Sequence, residues 1–317
     1  LSSGSPPRAR GGIRHDYTIT KGRLFAMKQK LRPLEVFMNL LFFVCGLIAV
    51  VFVLFISIYL IVSGLPAIRE IGLVDFLFGT EWASTAAEPK FGILPFILTS
   101  IYGTAGAIVL GVPVGFMTAV FLAKVAPPRL ASLVRPAVDL LAGIPSVVYG
   151  LVGMMVLLPA IRKTFDIAAG DSLLAAIIVL AVMILPSIIS VSETALNAVP
   201  REYEEASLAL GATELETYFR VSVPAAKSGI AAAVVLGVGR AIGEAMAILM
   251  VAGNVANMPS LLSSVKFLTT AIASEMSYAV VGSLQRNALY SIGLILFLFI
   301  MCINVILNVF LKRNKEG

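Results

Sequence analysis

Six long apolar segments dominate this sequence, and they restrict the chain to a fold whose solvent is lipid. Only 13% of the residues are charged, whereas soluble domains carry about 25%. Hydrophobic residues make up 59% of the chain, and its mean hydropathy is +0.97. A single aqueous core cannot bury that much apolar surface. We therefore predict an all-α membrane protein with about six transmembrane helices, at 36–63, 92–123, 136–158, 173–191, 225–252 and 287–311.

Positive charges set the predicted orientation. With the N-terminus inside, 17 Lys and Arg residues fall in inner segments and 6 in outer loops, which places both termini in the cytoplasm. The N-terminal tail is expected to be disordered at first and then basic, and it either anchors the topology or contacts lipid or a partner. The predicted organisation is a basic cytoplasmic tail (1–35), a first transmembrane helix (36–63) ended by Gly64 and Pro66, an outer loop (64–91), a core of five helices (92–311) and a cytoplasmic tail (312–317).

Composition and motifs exclude several classes of function. The net charge of +6 does not predict nucleic-acid binding, because Lys and Arg cluster between apolar runs and at the termini. One histidine, His15, and two cysteines in apolar runs, Cys45 and Cys302, predict neither a metal site nor a disulfide nor histidine-based catalysis. The sequence contains no G-x-x-x-x-G-K-[ST] loop, so we expect no ATPase site in this chain, and we expect no cofactor.

Proline and glycine interrupt the apolar segments. Pro113 predicts a kink in the second helix, and Gly143 and Pro145 break the third helix within LLAGIPSVVYG. Irregular backbone at membrane depth is tolerated only where protein or a water-filled cavity satisfies it. The third helix therefore either faces the interior of the bundle or carries a simple packing kink. Ser146 and Tyr149, which follow the break, are candidates to line a transport path.

A polar segment at 193–224 separates the fourth and fifth apolar segments. Pro200 suits the first turn of a helix that reads REYEEASLAL and ends at Gly211, a good left-handed cap residue. Thr213 and Glu216 have the spacing of a capping box and predict a second short helix, ELETYFRV, which Pro224 ends. The two helices would offer an apolar side to a partner, although composition alone also fits an ordinary cytoplasmic loop.

The run EASLALGATELETYFRVSVP resembles the EAA loop of ABC-importer permeases. That pattern is Glu-Ala-Ala, three residues, Gly, nine residues, Ile, any residue and Leu-Pro. The matching residues here are Glu205, Ala206, Ser207, Gly211, Val221, Val223 and Pro224. The spacing is intact, with Ser for one Ala and Val for both Ile and Leu. The stretches GILPFILTSIYGT, LLAGIPSVVYGLVG and GRAIGEAMAILMVAGN are similar to phosphate-specific permeases of the PstC type, although Ala245 replaces the usual Thr.

This resemblance covers about residues 92–311 and implies a type I ABC importer permease fold with cytoplasmic coupling helices. It implies a phosphate permease in the inner membrane of a prokaryote, paired with a PstA-type permease, two PstB-type ATPase subunits and a PstS-type phosphate-binding protein. Glu205, Ala206, Gly211 and Pro224 then match positions that couple transport to the ATPase. Two alternatives remain open: a permease for molybdate or sulfate, and a secondary transporter or channel that needs no ATPase.

Arg240 and Glu244 are charged residues in the middle of the predicted fifth helix. One turn separates them, so we predict an ion pair that faces the bundle interior, since a central Arg costs about 2.5–3.5 kcal/mol on insertion scales. The pair is either structural, or Arg240 is a transient contact for an oxyanion whose grip Glu244 weakens. Gly237, Gly239 and Gly243 would permit close helix packing or access to the backbone.

Overall fold

A computed structural model describes residues 14–313 of the chain, and the side chains of residues 34–306 and 309. The predicted tails lie partly outside these residues, at 1–13 and 314–317. The helices are α1 (Arg14–Ile71), α2 (Leu73–Phe78), α3 (Leu94–Val120), α4 (Pro128–Gly143), α5 (Ser146–Val152), α6 (Leu158–Phe165), α7 (Leu173–Asn197), α8 (Arg201–Ala209), α9 (Glu214–Thr217), α10 (Val223–Ala225), α11 (Lys227–Gly243), α12 (Met246–Val251), α13 (Leu268–Glu275) and α14 (Leu284–Arg313). The other elements are three π-helical segments, π1 (Phe121–Val125), π2 (Gly153–Leu157) and π3 (Tyr218–Ser222), and an antiparallel pair of strands, β1 (Trp82–Ala83) and β2 (Lys90–Phe91).

Within residues 14–313, five helical stretches are long and apolar enough to cross a membrane. They are Leu34–Ile71, Leu94–Val125, Ser146–Phe165, Leu173–Asn197 and Leu284–Ile306. A sixth crossing results if the helical stretches Glu214–Ala225 and Lys227–Gly243, bent by 72°, form one span. The prediction of an all-α membrane protein with about six transmembrane helices is confirmed.

The chain divides into two compact units, of which the first ends at Tyr59 and the second begins at Leu60. The described side chains of the first unit belong to α1 and are mostly exposed apolar groups. Such a surface is expected for a helix surrounded by lipid, because hydrocarbon chains take the place of a protein core.

The predicted end of the first helix at Gly64 and Pro66 is wrong, because α1 continues to Ile71. Gly64 lies against α14, where a Cβ would be only 2.9 Å from the backbone nitrogen of Ser291. The Ser291 hydroxyl donates a hydrogen bond of 2.6 Å to the Gly64 carbonyl. This packing holds the turn that contains Pro66, which cannot donate a backbone hydrogen bond of its own. The predicted outer loop 64–91 therefore begins with two turns of helix.

The core of the second unit forms where α3 and α11 pack against α7. Glycines on α3 face isoleucines on α7, and a Cβ at Gly111 would lie 2.7 Å from Ile184 Cδ1. Gly106 and Gly115 make similar contacts with the same helix. Small residues allow helices to approach closely, so α3 and α7 pack as one tight pair on which the other elements are mounted.

Two of the predicted transmembrane helices are divided differently in the structure. The third was predicted at 136–158, but α4 already begins at Pro128 and ends at Gly143, and the spanning stretch starts at Ser146. Ile144 is extended because it precedes Pro145, and the proline ring disfavours a helical conformation there. The fifth was predicted at 225–252, but the backbone leaves the helix after Gly243 and resumes at α12.

Candidate functional site

The segment that was predicted to couple transport to the ATPase, which we call the coupling segment and define as residues 201–222, consists of α8, a glycine bend, α9 and π3. The bend is at Gly211, whose φ of +89° is the left-handed conformation that glycine favours. Thr213 and Glu216 form the predicted capping box, with the Glu216 amide donating to the Thr213 hydroxyl at 3.3 Å and the Thr213 amide donating to the Glu216 carboxylate at 3.1 Å. The first predicted helix and both predicted caps are therefore confirmed. The predicted end of the second helix at Pro224 is wrong, because helical turns continue through π3 and α10 to Ala225.

The coupling segment presents its predicted site residues to the solvent. Glu205 and Ala206 are exposed on α8, and Gly211 and Pro224 are exposed further along the chain. Large apolar side chains are also uncovered, and Leu210 is 89% exposed. A surface that combines exposed apolar groups with acidic groups is suited to a protein partner.

Glu204, which the sequence did not single out, attaches the coupling segment to the end of α3. Its carboxylate lies 2.6 Å from the Lys124 ammonium of π1 and accepts a hydrogen bond of 2.7 Å from the Ser222 hydroxyl of π3. Burial raises the pKa of the Glu204 carboxyl, but the hydrogen bonds from Lys124 and Ser222 outweigh this effect and hold the pKa below its usual value.

A second ion pair joins the middle of α4 to the last two turns of α7. Arg135 Nε lies 2.5 Å from the Glu193 carboxylate, and Arg135 Nη2 donates to the Leu122 carbonyl of π1 at 3.3 Å. Glu193 was predicted to open the polar segment, but it lies within α7 and is 9% exposed. π1 is therefore held both by the coupling segment and by α4.

Two helix breaks lie close to each other, one directly before the span Ser146–Phe165 and one at the end of α11. Ile144 and Glu244, at the ends of α4 and α11, have nearly the same backbone angles: φ −68° and ψ 127°, against φ −72° and ψ 131°. The helices that follow run side by side, because Gly150 packs against Ala247 and Gly153 packs against Val251. Gly150 and Gly153 lie 6 and 9 residues after Ile144, and Ala247 and Val251 lie 3 and 7 residues after Glu244. The two breaks are therefore offset by about two to three residues, which is less than one helical turn.

The predicted ion pair between Arg240 and Glu244 is not formed among residues 14–313. The Glu244 carboxylate instead accepts a hydrogen bond of 3.0 Å from the Ala247 amide at the start of α12. The Thr269 hydroxyl donates to the Glu244 carbonyl at 2.8 Å. The physical reason is that the first N–H groups of α12 have no partner within the helix, and a nearby carboxylate satisfies one of them.

Arg240 is half-buried in the last turn of α11, close to the break. It is near enough to Tyr149 on α5 for electrostatic interaction. Gly239 and Gly243 beside it are exposed, and a Cβ at either position would meet nothing within 4 Å. Among the predicted path residues, the structure thus brings Arg240, Tyr149 and Glu244 to the two breaks.

Tyr149 and Ser146 are both half-buried in α5. The Tyr149 hydroxyl donates a hydrogen bond of 2.7 Å to the Leu141 carbonyl of α4, so it bridges the first break. Ser146 is the first residue of α5 and stands directly after the break. Both residues therefore border the irregular backbone where a transport path would need polar groups.

A polar cluster that sequence reasoning missed surrounds Glu275 at the end of α13. Its carboxylate lies 2.6 Å from the Lys266 ammonium and accepts hydrogen bonds from Trp82 Nε1 at 3.0 Å and from the Ser84 hydroxyl at 3.0 Å. Gln285 at the start of α14 also contacts it, at 3.4 Å. The cluster joins the β-hairpin, α13 and α14, and its members other than Gln285 lie outside the five spans.

Comparison with known proteins places this architecture among transporters. Residues 111–316 match the profile of a family described as the binding-protein-dependent transport system inner membrane component. The chain is 40% identical to the probable ABC transporter permease protein YqgH of Bacillus subtilis, over 89% of this chain and 93% of that protein. It is 33% identical to the phosphate transport system permease protein PstC of Haemophilus influenzae, over 82% of this chain and 88% of that protein.

Further similarity is found in an archaeal protein and in a solved structure. The chain is 31% identical to a probable PstC of Methanocaldococcus jannaschii, over 85% of this chain and 91% of that protein. Its fold superimposes with a TM-score of 0.56 on a chain of the inward-facing MetNI methionine ABC transporter, at 20% identity, over 70% of this chain and 95% of that one. The predicted type I ABC importer permease fold is confirmed.

Proposed function

Because this chain belongs to the binding-protein-dependent transport system inner membrane component family, and is a permease subunit of an ABC importer, we propose that its substrate is inorganic phosphate. The names of its relatives support this choice, since several PstC proteins from bacteria and one from an archaeon match most of its length. The family also makes it a multi-pass inner membrane protein that works with permease and ATPase partners. This assignment replaces the alternative of a secondary transporter or channel.

The observation that carries the proposal is Arg240, a half-buried guanidinium with no ion-pair partner among the described side chains of residues 34–306 and 309. A charged side chain inside a membrane protein faces the bundle interior or a water-filled path, because lipid would not solvate it. The planar guanidinium donates paired, charge-assisted hydrogen bonds that fit the oxygen atoms of phosphate. We assign Arg240 the role of a transient contact for the anion on its way through the membrane.

The helix breaks at Ile144 and Glu244 give this contact its surroundings. Irregular backbone at membrane depth is stable only where it lines a cavity or is buried in protein. Ser146 and Tyr149 border one break and supply hydroxyl groups for a passing anion. Glu244 acts differently from the sequence-based expectation: it caps α12 and leaves the guanidinium available to the substrate.

We assign the remaining partners from the same family relationship. A PstA-type permease would pair with this chain, two PstB-type ATPase subunits would bind in the cytoplasm, and a PstS-type protein would deliver phosphate from outside. The excess of Lys and Arg in the inner segments supports an orientation with both termini and the coupling segment in the cytoplasm. Glu205, Ala206, Gly211 and Pro224 are exposed and would contact the ATPase.

In the proposed cycle, ATP-driven closure of the ATPase dimer displaces the coupling segment and changes which side of the membrane the path opens to. Phosphate then enters from the binding protein, contacts Arg240 and leaves on the cytoplasmic side. Coupling of this kind requires the ligand to interact differently with the two conformations.

The test is uptake of radioactive phosphate into proteoliposomes that contain the whole complex and internal ATP. Arg240→Gln should reduce uptake about 10–100-fold, because charge-assisted hydrogen bonds contribute about 1.5–3 kcal/mol. Arg240→Lys keeps the charge without the planar fork and should be intermediate. Lys227→Gln is the matched control, because it removes an exposed charge at the other end of α11.

Competition experiments identify the anion. Unlabelled phosphate should displace the label, and sulfate and molybdate should not. Uptake of sulfate or molybdate in place of phosphate would support the alternative oxyanion permease. Normal uptake by an assembled Arg240→Gln complex would show that the anion passes elsewhere.

A further inference from the structure

Two π-helical segments from distant parts of the chain meet at a single carboxylate. π1 supplies Lys124 and π3 supplies Ser222, and both contact Glu204 of α8, at 2.6 and 2.7 Å. The side chains of Lys124 and Glu204 are only 10% and 19% exposed, and Ser222 is fully buried. π-helical turns are rare and often occur at functional sites, so their convergence on one group is an unusual arrangement.

Neighbouring residues of α8 therefore have different surroundings. Glu205 is exposed and available to a partner, whereas Glu204 points back into the protein and holds π1 and π3. The hydroxyls of Ser207 and Thr217 are 2.9 Å apart, so α8 and α9 are also joined to each other. The coupling segment is thus cross-linked internally and fixed to α3 at one charged contact.

The contact continues from π1 into the membrane-spanning helices. Arg135 donates to the Leu122 carbonyl of π1 and pairs with Glu193 of α7. α7 in turn packs closely on α3 through the glycine contacts at Gly106 and Gly111. A displacement of Glu204 would therefore reach α3, α4 and α7 together through contacts shorter than about 3.5 Å, the limit for a hydrogen bond.

We propose that Glu204 is a positioning residue that transmits movement of the coupling segment to the transmembrane helices. Lys124 and Ser222 receive the movement, and Arg135 and Glu193 pass it from π1 to α4 and α7. The proposal rests on the function proposed above, because it concerns how ATP hydrolysis drives import. It assigns to Glu204 a role distinct from that of Glu205, which contacts the ATPase.

The first experiment measures phosphate import and ATP hydrolysis in the same proteoliposomes of the whole complex. Coupling free energies between sites correspond to about 5–150-fold effects, so Glu204→Gln should lower the import per ATP hydrolysed at least about fivefold. Lys124→Met should act in the same way. Glu202→Gln, an exposed change in the same helix, is the matched control and should keep the wild-type ratio.

Two further variants separate positioning from simple loss of structure. The charge-reversed pair Lys124→Glu with Glu204→Lys restores the opposite charges, so it should recover part of the coupling that each single variant loses. Ser222→Ala keeps the ion pair and removes one hydrogen bond, so it should lower the ratio less than Glu204→Gln. Full coupling in an assembled Glu204→Gln complex would overturn the proposal.

A distance measurement tests the proposal without any transported substrate. Spin labels at Met117 of α3 and Tyr203 of α8, both exposed, would be introduced after replacement of Cys45 and Cys302 by serine. The distance should stay single-valued when ATP is added to the wild-type complex and should broaden in Glu204→Gln. If this result is obtained but the complex does not import phosphate, the proposed substrate fails and the role of Glu204 stands. An unchanged distance distribution in the variant refutes that role.

Discussion

Replacement of Glu275 by Gln should destabilise the region where the β-hairpin, α13 and α14 meet, because it leaves Lys266 without its counter-charge. The two side chains are 13% and 11% exposed and lie 2.6 Å apart. Removing one partner of a buried ion pair costs about 3–5 kcal/mol, and a glutamine amide can still accept one hydrogen bond worth about 1 kcal/mol. We therefore expect a loss of about 2–4 kcal/mol and a melting temperature lower by on the order of 10 °C.

The structure provides a direct optical readout of this change. Trp82 is the single tryptophan of the chain, and its indole nitrogen donates to both oxygens of Glu275, at 3.0 and 3.2 Å. Its ring also packs against Phe91 and Phe96, with centroid distances of 5.4 Å. In the purified chain in detergent, Glu275→Gln should shift the tryptophan emission and lower its unfolding midpoint. Glu88→Gln, an exposed change in the segment between β1 and β2, should alter neither.

A double variant decides whether the charge pair is the cause. If the loss arises from an unpaired buried ammonium, then Lys266→Met together with Glu275→Met should cost less than the sum of the two single changes, because neither charge remains buried alone. Additive losses, or a Glu275→Gln variant with the wild-type midpoint and emission, would refute this reasoning.

Three other predictions concern the α3–α7 contact and the coupling segment. Gly111→Val should separate α3 from α7 and lower the yield of folded complex, because a Cβ there would lie 2.7 Å from an isoleucine of α7. The control is Gly46→Val, because a Cβ at Gly46 would meet nothing within 4 Å. Equal yields of the two variants would contradict the packing argument. The Cβ of Gly211→Ala would meet no neighbouring atom, but a side chain at a φ of +89° costs about 1 kcal/mol. The import of phosphate per ATP hydrolysed should therefore fall about fivefold while the complex still assembles. An unchanged ratio would show that the bend does not need glycine. The depressed pKa of Glu204 means that its stabilising contact with Lys124 is fully present above the ordinary value of 4.5 and is lost only as the pH falls through the lower folded value. The spin-label distance between α3 and α8 should therefore hold from pH 7 to 5, and a change near pH 6 would contradict the assignment.

The features that sequence predicted well are those whose cause lies within a few residues. Thr213 and Glu216 form their capping box because the motif needs only four consecutive residues, and Gly211 takes the left-handed conformation for the same local reason. The break after Gly143 was also predicted, because proline acts on the residue directly before it. The break at Glu244 has no proline and was missed, since the glycines around it allow a bend without requiring one.

The residues that sequence could not reveal act through partners far away in the chain. Glu204 and Lys124 are separated by 80 positions, Glu193 and Arg135 by 58, and Glu275 and Trp82 by 193, so no spacing rule connects them. The ion pair between Arg240 and Glu244 was predicted from their spacing but is not formed. The Glu244 carboxylate instead accepts a hydrogen bond from a backbone amide at the start of α12, a helix end that the sequence did not predict. In a membrane protein this competition is decided by backbone groups, because an unpaired amide at membrane depth costs several kcal/mol and cannot be hydrated. When a charged residue lies near a helix break, we should therefore first ask whether its side chain hydrogen-bonds an unpaired backbone group there. Only a charged side chain without such a bond, here Arg240, should be considered as a contact for the substrate.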